Sequence, residues 1–100
     1  MKEKIRKIKD SIDIIKVASQ YTNLKKKEKS YWGLCPFHIE KTPSFTVDKE
    51  RQLYHCFGCG AGGDVFTLVM EKENMTFEES VEYLYENIER FLKEEGEKNE

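Results

Sequence analysis

The sequence predicts an α+β fold, in which helices flank a small antiparallel β-sheet that carries a metal-binding ribbon. Three observations lead to this prediction. The middle of the chain, residues 31–56, consists of short runs of β-forming residues. An amphipathic helical pattern follows at residues 77–92. Two pairs of metal-ligand residue types, each with two residues between its members, lie at residues 35–38 and 56–59.

Composition and charge limit the classes of function. The chain has 100 residues and a formal net charge of −2, which allows one domain with a small core. The charge is unevenly distributed, because residues 1–70 carry thirteen Lys and Arg against eight Asp and Glu, whereas residues 71–100 carry four against eleven. A polyanionic partner is therefore expected to bind the first part of the chain.

Cysteine usage and the lack of long apolar runs favour a cytoplasmic protein. Three cysteines cannot all form disulfides, and clustered Cys and His in a reducing compartment more often bind a metal. The sequence shows neither a secretory signal pattern nor an apolar run long enough to cross a bilayer. We therefore expect neither secretion nor a membrane partner.

Two helices are expected in the first part of the chain. The segment MKEKIRKIKD can form a helix that places Ile5 and Ile8 on one side. Ser11 is the expected N-cap of a second, short helix, IDIIKVASQY, whose apolar residues form a broad face. This helix is expected to end near Thr22 and Asn23.

The middle of the chain predicts a small antiparallel sheet. The charged segment 25–29 is expected to be an exposed turn or strand edge. The expected strands are residues 31–34, 44–47 and 52–56. Residues 48–51 supply the turn of a hairpin between the last two. The segment GCGAGGD, residues 58–64, contains four glycines and is predicted to be a tight turn without regular structure.

The last third of the chain predicts two capped helices. Asp64 is the expected cap of VFTLVMEKE, and Thr76 with Glu79 matches a capping box before the next helix. That helix carries an apolar stripe at steps of three and four residues: Phe77, Val81, Leu84, Tyr85, Ile88, Phe91 and Leu92. Core packing is the favoured interpretation of the stripe, and a protein-docking surface is the alternative. The domain is expected to span residues 1–92, with an acidic, frayed tail at 93–100.

The metal-ligand pairs predict a zinc ribbon on this sheet. Cys35 and His38 form one pair, Cys56 and Cys59 the other, and seventeen residues between them accommodate a hairpin. A Cys3His set completes the tetrahedron, which favours one structural Zn²⁺ over a catalytic ion that keeps an open position. An iron–sulfur cluster is the alternative metal group. A disulfide between Cys56 and Cys59 is disfavoured because glycines, and not a helix, follow this Cys-x-x-Cys.

A second histidine, His55, makes one candidate ligand too many. It directly precedes Cys56 in a predicted strand, so the two side chains are expected to point to opposite faces of the sheet. Two roles remain open for His55. Its imidazole can contact a base edge or phosphate of a nucleic acid, or it can brace the metal ligands through a hydrogen bond.

The stretch GLCPFHIEKTPSFTV, followed by QLYHCFGCGAGGDVFTLVM, closely resembles the N-terminal zinc-binding domain of bacterial and phage replicative primases of the DnaG type. The likeness extends to IDIIKVASQYTNLKKK and MTFEESVEYL, and thus covers roughly residues 8–90. It implies zinc ligation by Cys35, His38, Cys56 and Cys59, and binding of single-stranded template DNA in primer initiation during DNA replication. Glu28 is a departure, because the family commonly has a glycine-containing turn there.

The resemblance also implies what the chain lacks. In such primases the polymerase active site lies in a separate acidic, metal-binding domain, which a helicase-binding region adjoins. Neither fits into 100 residues. We therefore expect no primer synthesis by this chain alone and no catalytic residues, with a polymerase domain or a helicase as a partner in trans.

The surface residues expected around the ribbon suit single-stranded DNA. Cations follow phosphates, while exposed rings stack on bases, and no basic recognition helix for duplex DNA is evident in the sequence. The candidate DNA contacts are Lys25, Lys26, Lys27, Lys29, Tyr31, Lys41, Arg51, Tyr54, His55 and Phe57, with Trp32 interleaved among them. Burial is the alternative for every ring, and core positions are expected for Phe37, Phe45 and Phe66.

A second class of function is a zinc ribbon that docks on replication machinery through its C-terminal helix. Binding through an apolar stripe would resist salt, whereas binding of DNA through lysines would not. A zinc hydrolase is a third class, which would need an open coordination position and a general base beside it.

Overall fold

The computed structural model describes residues 1–94, and residues 95–100 of the expected tail lie outside them. The α-helices are α1 (Lys2–Ser11), α2 (Ile14–Ser19), α3 (Val65–Glu73) and α4 (Phe77–Glu86), and a 3-10 helix spans Ile88–Phe91. The strands are β1 (Lys25–Lys27), β2 (Ser30–Gly33), β3 (Phe45–Asp48), β4 (Leu53–Cys56) and β5 (Gly62–Gly63). No helix within residues 1–94 is long and apolar enough to cross a membrane.

The strands form a single antiparallel sheet in chain order, from β1 to β5. The predicted α+β class and the antiparallel sheet flanked by helices are confirmed. The prediction that residues 58–64 lack regular structure is wrong at Gly62 and Gly63, which pair with His55 and Tyr54 of β4. Glycine has a low strand propensity and no side chain to alternate, so this pairing depends on the neighbouring strand.

Side-chain alternation gives the sheet one buried face and one open face. Phe45, Val47, Tyr54 and Cys56 point to the buried face, where they form one core cluster with residues of all four α-helices. The other face, here named the open sheet face, consists of the alternate positions Lys25, Lys27, Ser30, Trp32, Thr46, Asp48, Leu53, His55 and Gly62.

The N-cap of α2 is Asp13, so the prediction of Ser11 as its cap is wrong. Ser11 ends α1, while the Asp13 carboxylate accepts a hydrogen bond of 3.0 Å from the first turn of α2. Asp13 is only 2% exposed, and Lys49 and Gln52 of the β3–β4 turn both donate to it. Gln52 also accepts from the backbone N–H of Ile14 (2.7 Å). This hydrogen-bond network joins α2 to the sheet. Because Lys49 and Gln52 are distant from Asp13 in the sequence, the residues around Ser11 could not predict it.

The two later caps are as predicted. Asp64 accepts a hydrogen bond from the N–H of Thr67 at the start of α3, and Thr76 with Glu79 forms a complete capping box before α4. α2 is shorter than expected, because it ends at Ser19.

The apolar stripe of residues 77–92 packs mainly into the core. Val81, Leu84 and Phe91 are buried, while Phe77 and Tyr85 are 38% and 41% exposed. Backbone hydrogen bonds join residues 11–13, at the end of α1 and the start of α2, to residues 91–93, and the Glu94 carboxylate lies 2.7 Å from the Lys16 ammonium. Residues 93 and 94, assigned to the tail from the sequence, therefore contact the first two helices.

Candidate metal centre and open sheet face

Cys35, His38, Cys56 and Cys59 come together at one end of the sheet. Each offers one ligand atom, and these four atoms lie within 4.8 Å of one another. The Sγ atoms of Cys35 and Cys59 are 3.8 Å apart. Zinc–sulfur bonds of about 2.3 Å give a tetrahedron with edges of about 3.8 Å. The spacing of these two sulfur atoms thus suits two thiolates on one zinc ion.

Two short turns hold the cysteines. In the first turn, the N–H of Phe37 points to the Cys35 sulfur (3.4 Å). In the second, the N–H of Gly58 points to the Cys56 sulfur (3.3 Å), and Gly60 adopts a positive φ of 82°. A Cβ atom at Gly58 would lie 2.8 Å from the Ser44 hydroxyl, so the second turn requires glycine for space at one position and for conformation at the other.

Glu40 connects the two turns, a role that the sequence patterns did not predict. Its carboxylate accepts hydrogen bonds from the N–H of Cys35 (2.8 Å) and from the Ser44 hydroxyl (2.6 Å), and it lies 3.0 Å from Nε2 of His38. The Ser44 oxygen is in turn 3.4 Å from the Cys56 sulfur. An acidic residue two positions after a candidate ligand histidine was the available signal, because such histidines usually hydrogen-bond a carboxylate.

The His38 ring fits a metal through Nδ1. Glu40 engages Nε2, whereas Nδ1 is buried and has no hydrogen-bond partner among the described residues. A buried ring nitrogen without a partner is costly unless it binds something. The three sulfur atoms and this nitrogen form the donor set that structural zinc prefers.

Burial and hydrogen bonds give the Cys35 and Cys56 thiols different pKa values. Burial raises the pKa of the Cys35 thiol to about 12. Burial also acts to raise the pKa of Cys56, but its contact with the Ser44 hydroxyl and hydrogen bonds from the backbone N–H groups of Cys59 and Gly58 outweigh it and lower the pKa to about 7. The hydrogen bond from Ser44, followed by that from the Cys35 N–H, lowers the pKa of Glu40. Glu40 is therefore ionised at neutral pH and suited to orient an imidazole that donates to it.

Comparison with known protein families agrees with this donor set. The model of the CHC2 zinc finger family matches residues 1–100. The chain belongs to the CHC2 zinc finger family. This membership and the Cys-His-Cys-Cys group together assign one zinc ion to the CHC2 domain.

The CHC2 domain is also similar to parts of larger proteins. DNA primase of Halalkalibacterium halodurans is 55% identical over 82 residues, which are 82% of this chain and 14% of that protein. DNA primase of Listeria monocytogenes is 52% identical over 79 residues, 79% of this chain and 13% of that protein. The crystal structure of the Aquifex aeolicus primase, with its zinc binding and RNA polymerase domains, superimposes with a TM-score of 0.79 at 38% identity and covers 95% of this chain and 23% of that one. These matches confirm the resemblance to the zinc-binding domain of DnaG-type primases.

The two residues that precede Cys56 lie on opposite faces of the CHC2 domain. Tyr54 is 3% exposed and packs against Phe37 and Phe45, with ring centroids 6.0 Å and 5.6 Å away. The prediction that Tyr54 contacts DNA is therefore wrong, since strand alternation turns its ring into the core. His55 points to the open sheet face, where its ring meets the exposed Phe57 ring edge-on at 4.6 Å. Glu40, and not His55, is the hydrogen-bonding partner of His38.

The open sheet face of the CHC2 domain carries a row of side chains across the strands. Register places Lys25 opposite Trp32, Trp32 opposite Thr46, Thr46 opposite His55, and His55 opposite Gly62. The row therefore crosses four inter-strand spacings of about 4.8 Å each. The ring of Phe57 stacks beside Trp32 with a centroid distance of 6.0 Å and an interplanar angle of 18°.

The remaining predicted DNA contacts are distributed around this face. Lys27 lies on it, and Lys26 leaves β1 on the opposite side, because successive residues alternate. Lys29, Lys41 and Arg51 are exposed. Tyr31 is half-buried and packs against the core cluster, so its ring is less available than expected. Among the rings expected in the core, Phe45 and Phe66 are buried and Phe37 is half-buried.

Proposed function

We propose that this CHC2 domain is a zinc-stabilised module that binds single-stranded template DNA in primer initiation during DNA replication. In this proposal Cys35, His38, Cys56 and Cys59 hold one structural zinc ion. The ion joins the two turns at the end of the sheet and thereby fixes the strands that present the open sheet face. Four protein ligands leave no coordination position for a substrate, so the role of the ion is structural.

The open sheet face carries this proposal, because it combines cations with exposed rings. Phe57 is 68% exposed and lies between the rings of Trp32 and His55. Bases of a single strand stack on such rings, whereas paired bases of a duplex are not accessible to them. Lys25 and Lys27 lie at one edge of the same face, where they can neutralise phosphates.

We further propose that the chain contributes binding and no catalytic step. Primases similar to it are about six times as long as this chain, and the Aquifex protein has an RNA polymerase domain beside its zinc-binding domain. Nucleotidyl transfer is then the task of a polymerase domain, and a replicative helicase is a second candidate partner. A cytoplasmic location suits this role, because the three free thiols require a reducing compartment to bind zinc.

The alternative, docking on a protein through the C-terminal helix, is less well supported. The apolar stripe that would make the contact is largely used in the core through Val81, Leu84 and Phe91. The exposed side of α4 is rich in glutamate. It therefore offers a partner less apolar surface than the stripe that is buried in the core.

A titration of short single-stranded DNA at two salt concentrations tests the proposal. We expect measurable binding that weakens steeply with salt. Phe57→Ala should weaken it roughly fivefold or more, since stacking contributes about 1–3 kcal/mol per base. Lys27→Ala should weaken it, while the matched control Lys26→Ala, which removes the same charge from the other side of β1, should have a smaller effect. Undetectable binding at low salt, or binding that ignores salt, would refute the proposed function.

A further inference from the structure

We infer that Asp48 makes the open sheet face select bases that carry adjacent hydrogen-bond donors, with guanine bound best and thymine bound worst. This inference rests on the proposed binding of single-stranded DNA and deepens it, because it names the base class that the face prefers. It assigns to one carboxylate a specificity that aromatic stacking cannot supply, since every base has a stacking face.

Asp48 lines a cleft on the open sheet face. It ends β3, where register places it opposite Ser30 on one side and Leu53 on the other. The cleft has a volume of about 560 Å³ and is also lined by His55 and Phe57. The same cleft therefore offers rings for stacking and a carboxylate that can accept hydrogen bonds from a base edge.

The Asp48 carboxylate keeps accepting capacity in this cleft. One oxygen accepts a hydrogen bond of 3.1 Å from the N–H of Arg51 and so closes the turn. The other lies 3.9 Å from Nε of Arg51, and the two side chains are 45% and 79% exposed. This ion pair is long and open to solvent, hence weak. A carboxylate has about four lone-pair sites, so the turn leaves room for further donors.

A carboxylate on a DNA-binding face requires donors from the ligand. Phosphates repel it, and a DNA strand has no 2′-hydroxyl, so the donors must come from base edges. Guanine presents a ring N–H beside an amino group, which suits a carboxylate that accepts two hydrogen bonds. Cytosine and adenine present an amino group. Thymine presents one ring N–H between two oxygens, which repel the carboxylate.

The test uses four nine-residue oligonucleotides of dT whose central base is G, C, A or T. Each is titrated by fluorescence anisotropy, at low salt, into the zinc-loaded full chain, into Asp48→Asn and into Glu50→Gln. Asn keeps an acceptor for the Arg51 N–H, so the turn is preserved. Glu50 is exposed in the same turn, and its substitution makes the same charge change as a matched control.

We expect the original chain to bind the central-G sequence at least about fivefold more tightly than the all-dT sequence, as one good base contact provides. Asp48→Asn should reduce this ratio to about twofold or less, whereas Glu50→Gln should preserve it while raising all affinities together. Equal binding of the four sequences by the original chain would overturn the inference and leave the proposed function intact. So would an unchanged ratio in Asp48→Asn. Absence of binding to all four would overturn both.

Discussion

The Glu40 carboxylate lies 3.0 Å from Nε2 of His38 and also accepts hydrogen bonds from the Cys35 N–H and the Ser44 hydroxyl. One carboxylate thus orients a candidate zinc ligand from the first turn and, through Ser44, contacts the Cys56 sulfur of the second. We expect its removal to weaken the metal site without removing a ligand.

Glu40→Gln should lower zinc affinity by about 10- to 100-fold, the usual effect of losing a carboxylate behind a ligating histidine. The amide retains the shape of the side chain but lacks the charge that stabilises the imidazole N–H. Competition with a chromophoric chelator measures the affinity directly. Glu50→Gln, at an exposed position of the turn between β3 and β4, is the control, and equal zinc affinity in the two variants would contradict this role for Glu40.

Removal of the metal should unfold the sheet. Binding of structural zinc supplies on the order of 10–16 kcal/mol in small peptides. This is comparable with the whole free energy of unfolding of a typical domain, which is about 5–15 kcal/mol. A strong chelator should therefore abolish the β-sheet signal in circular dichroism, and added Zn²⁺ should restore it. The zinc content must be measured in the same samples. A chain that retains its sheet after complete metal loss would show that the ion is not needed for folding.

Asp13→Ala should destabilise the domain far more than loss of an ordinary cap. The variant loses the cap of α2 and leaves Lys49 and Gln52 without their shared acceptor, so we expect a loss of about 3 kcal/mol, near the lower end for a broken buried pair. Asp64→Ala, which removes the cap of α3, is the matched control and should lose about 1 kcal/mol. Urea unfolding of the zinc-loaded variants measures both free energies. Similar losses would mean that the network with the β3–β4 turn adds little.

Glu28→Gly should stabilise the domain. Glu28 has a φ of 59° in the turn between β1 and β2, a left-handed conformation that costs most residues about 1–2 kcal/mol and glycine almost nothing. Because glycine also loses more entropy on folding, we expect a net gain of about 0.5–1 kcal/mol. Lys29→Gly, at the next position, should be destabilising by comparison. A thermal unfolding series shows the sign, and a lower unfolding temperature for Glu28→Gly would contradict the strain argument.

The sequence predicted the features that depend on local chemistry. The spacing of Cys35, His38, Cys56 and Cys59 indicated one metal site, and alternation along a strand was enough to separate His55 from Cys56. The caps at Asp64 and Thr76 were recognisable because the residues that form them are three positions apart. In each case, the interacting groups are close together in the sequence, or the period of the backbone fixes their direction.

Features that depend on distant neighbours were predicted wrongly or not at all. Tyr54 is an aromatic residue of a type that can stack on bases, but its position in β4 directs its ring into the core. The carboxylate of Asp13, which caps α2, also accepts hydrogen bonds from Lys49 and Gln52, which are 36 and 39 residues away in the sequence. β5 exists because β4 offers free backbone groups to Gly62 and Gly63.

The sequence by itself determined the metal donor set, the α+β class and the alternation of faces along each strand. Only the tertiary structure decided which face of the sheet the helices cover, and hence that Trp32, Asp48 and His55 share an open surface. It also decided that Glu40 connects the two metal-binding turns. The physical reason is that ligand type and backbone period are local properties, whereas burial and hydrogen-bond partners depend on which segments the folded chain brings together.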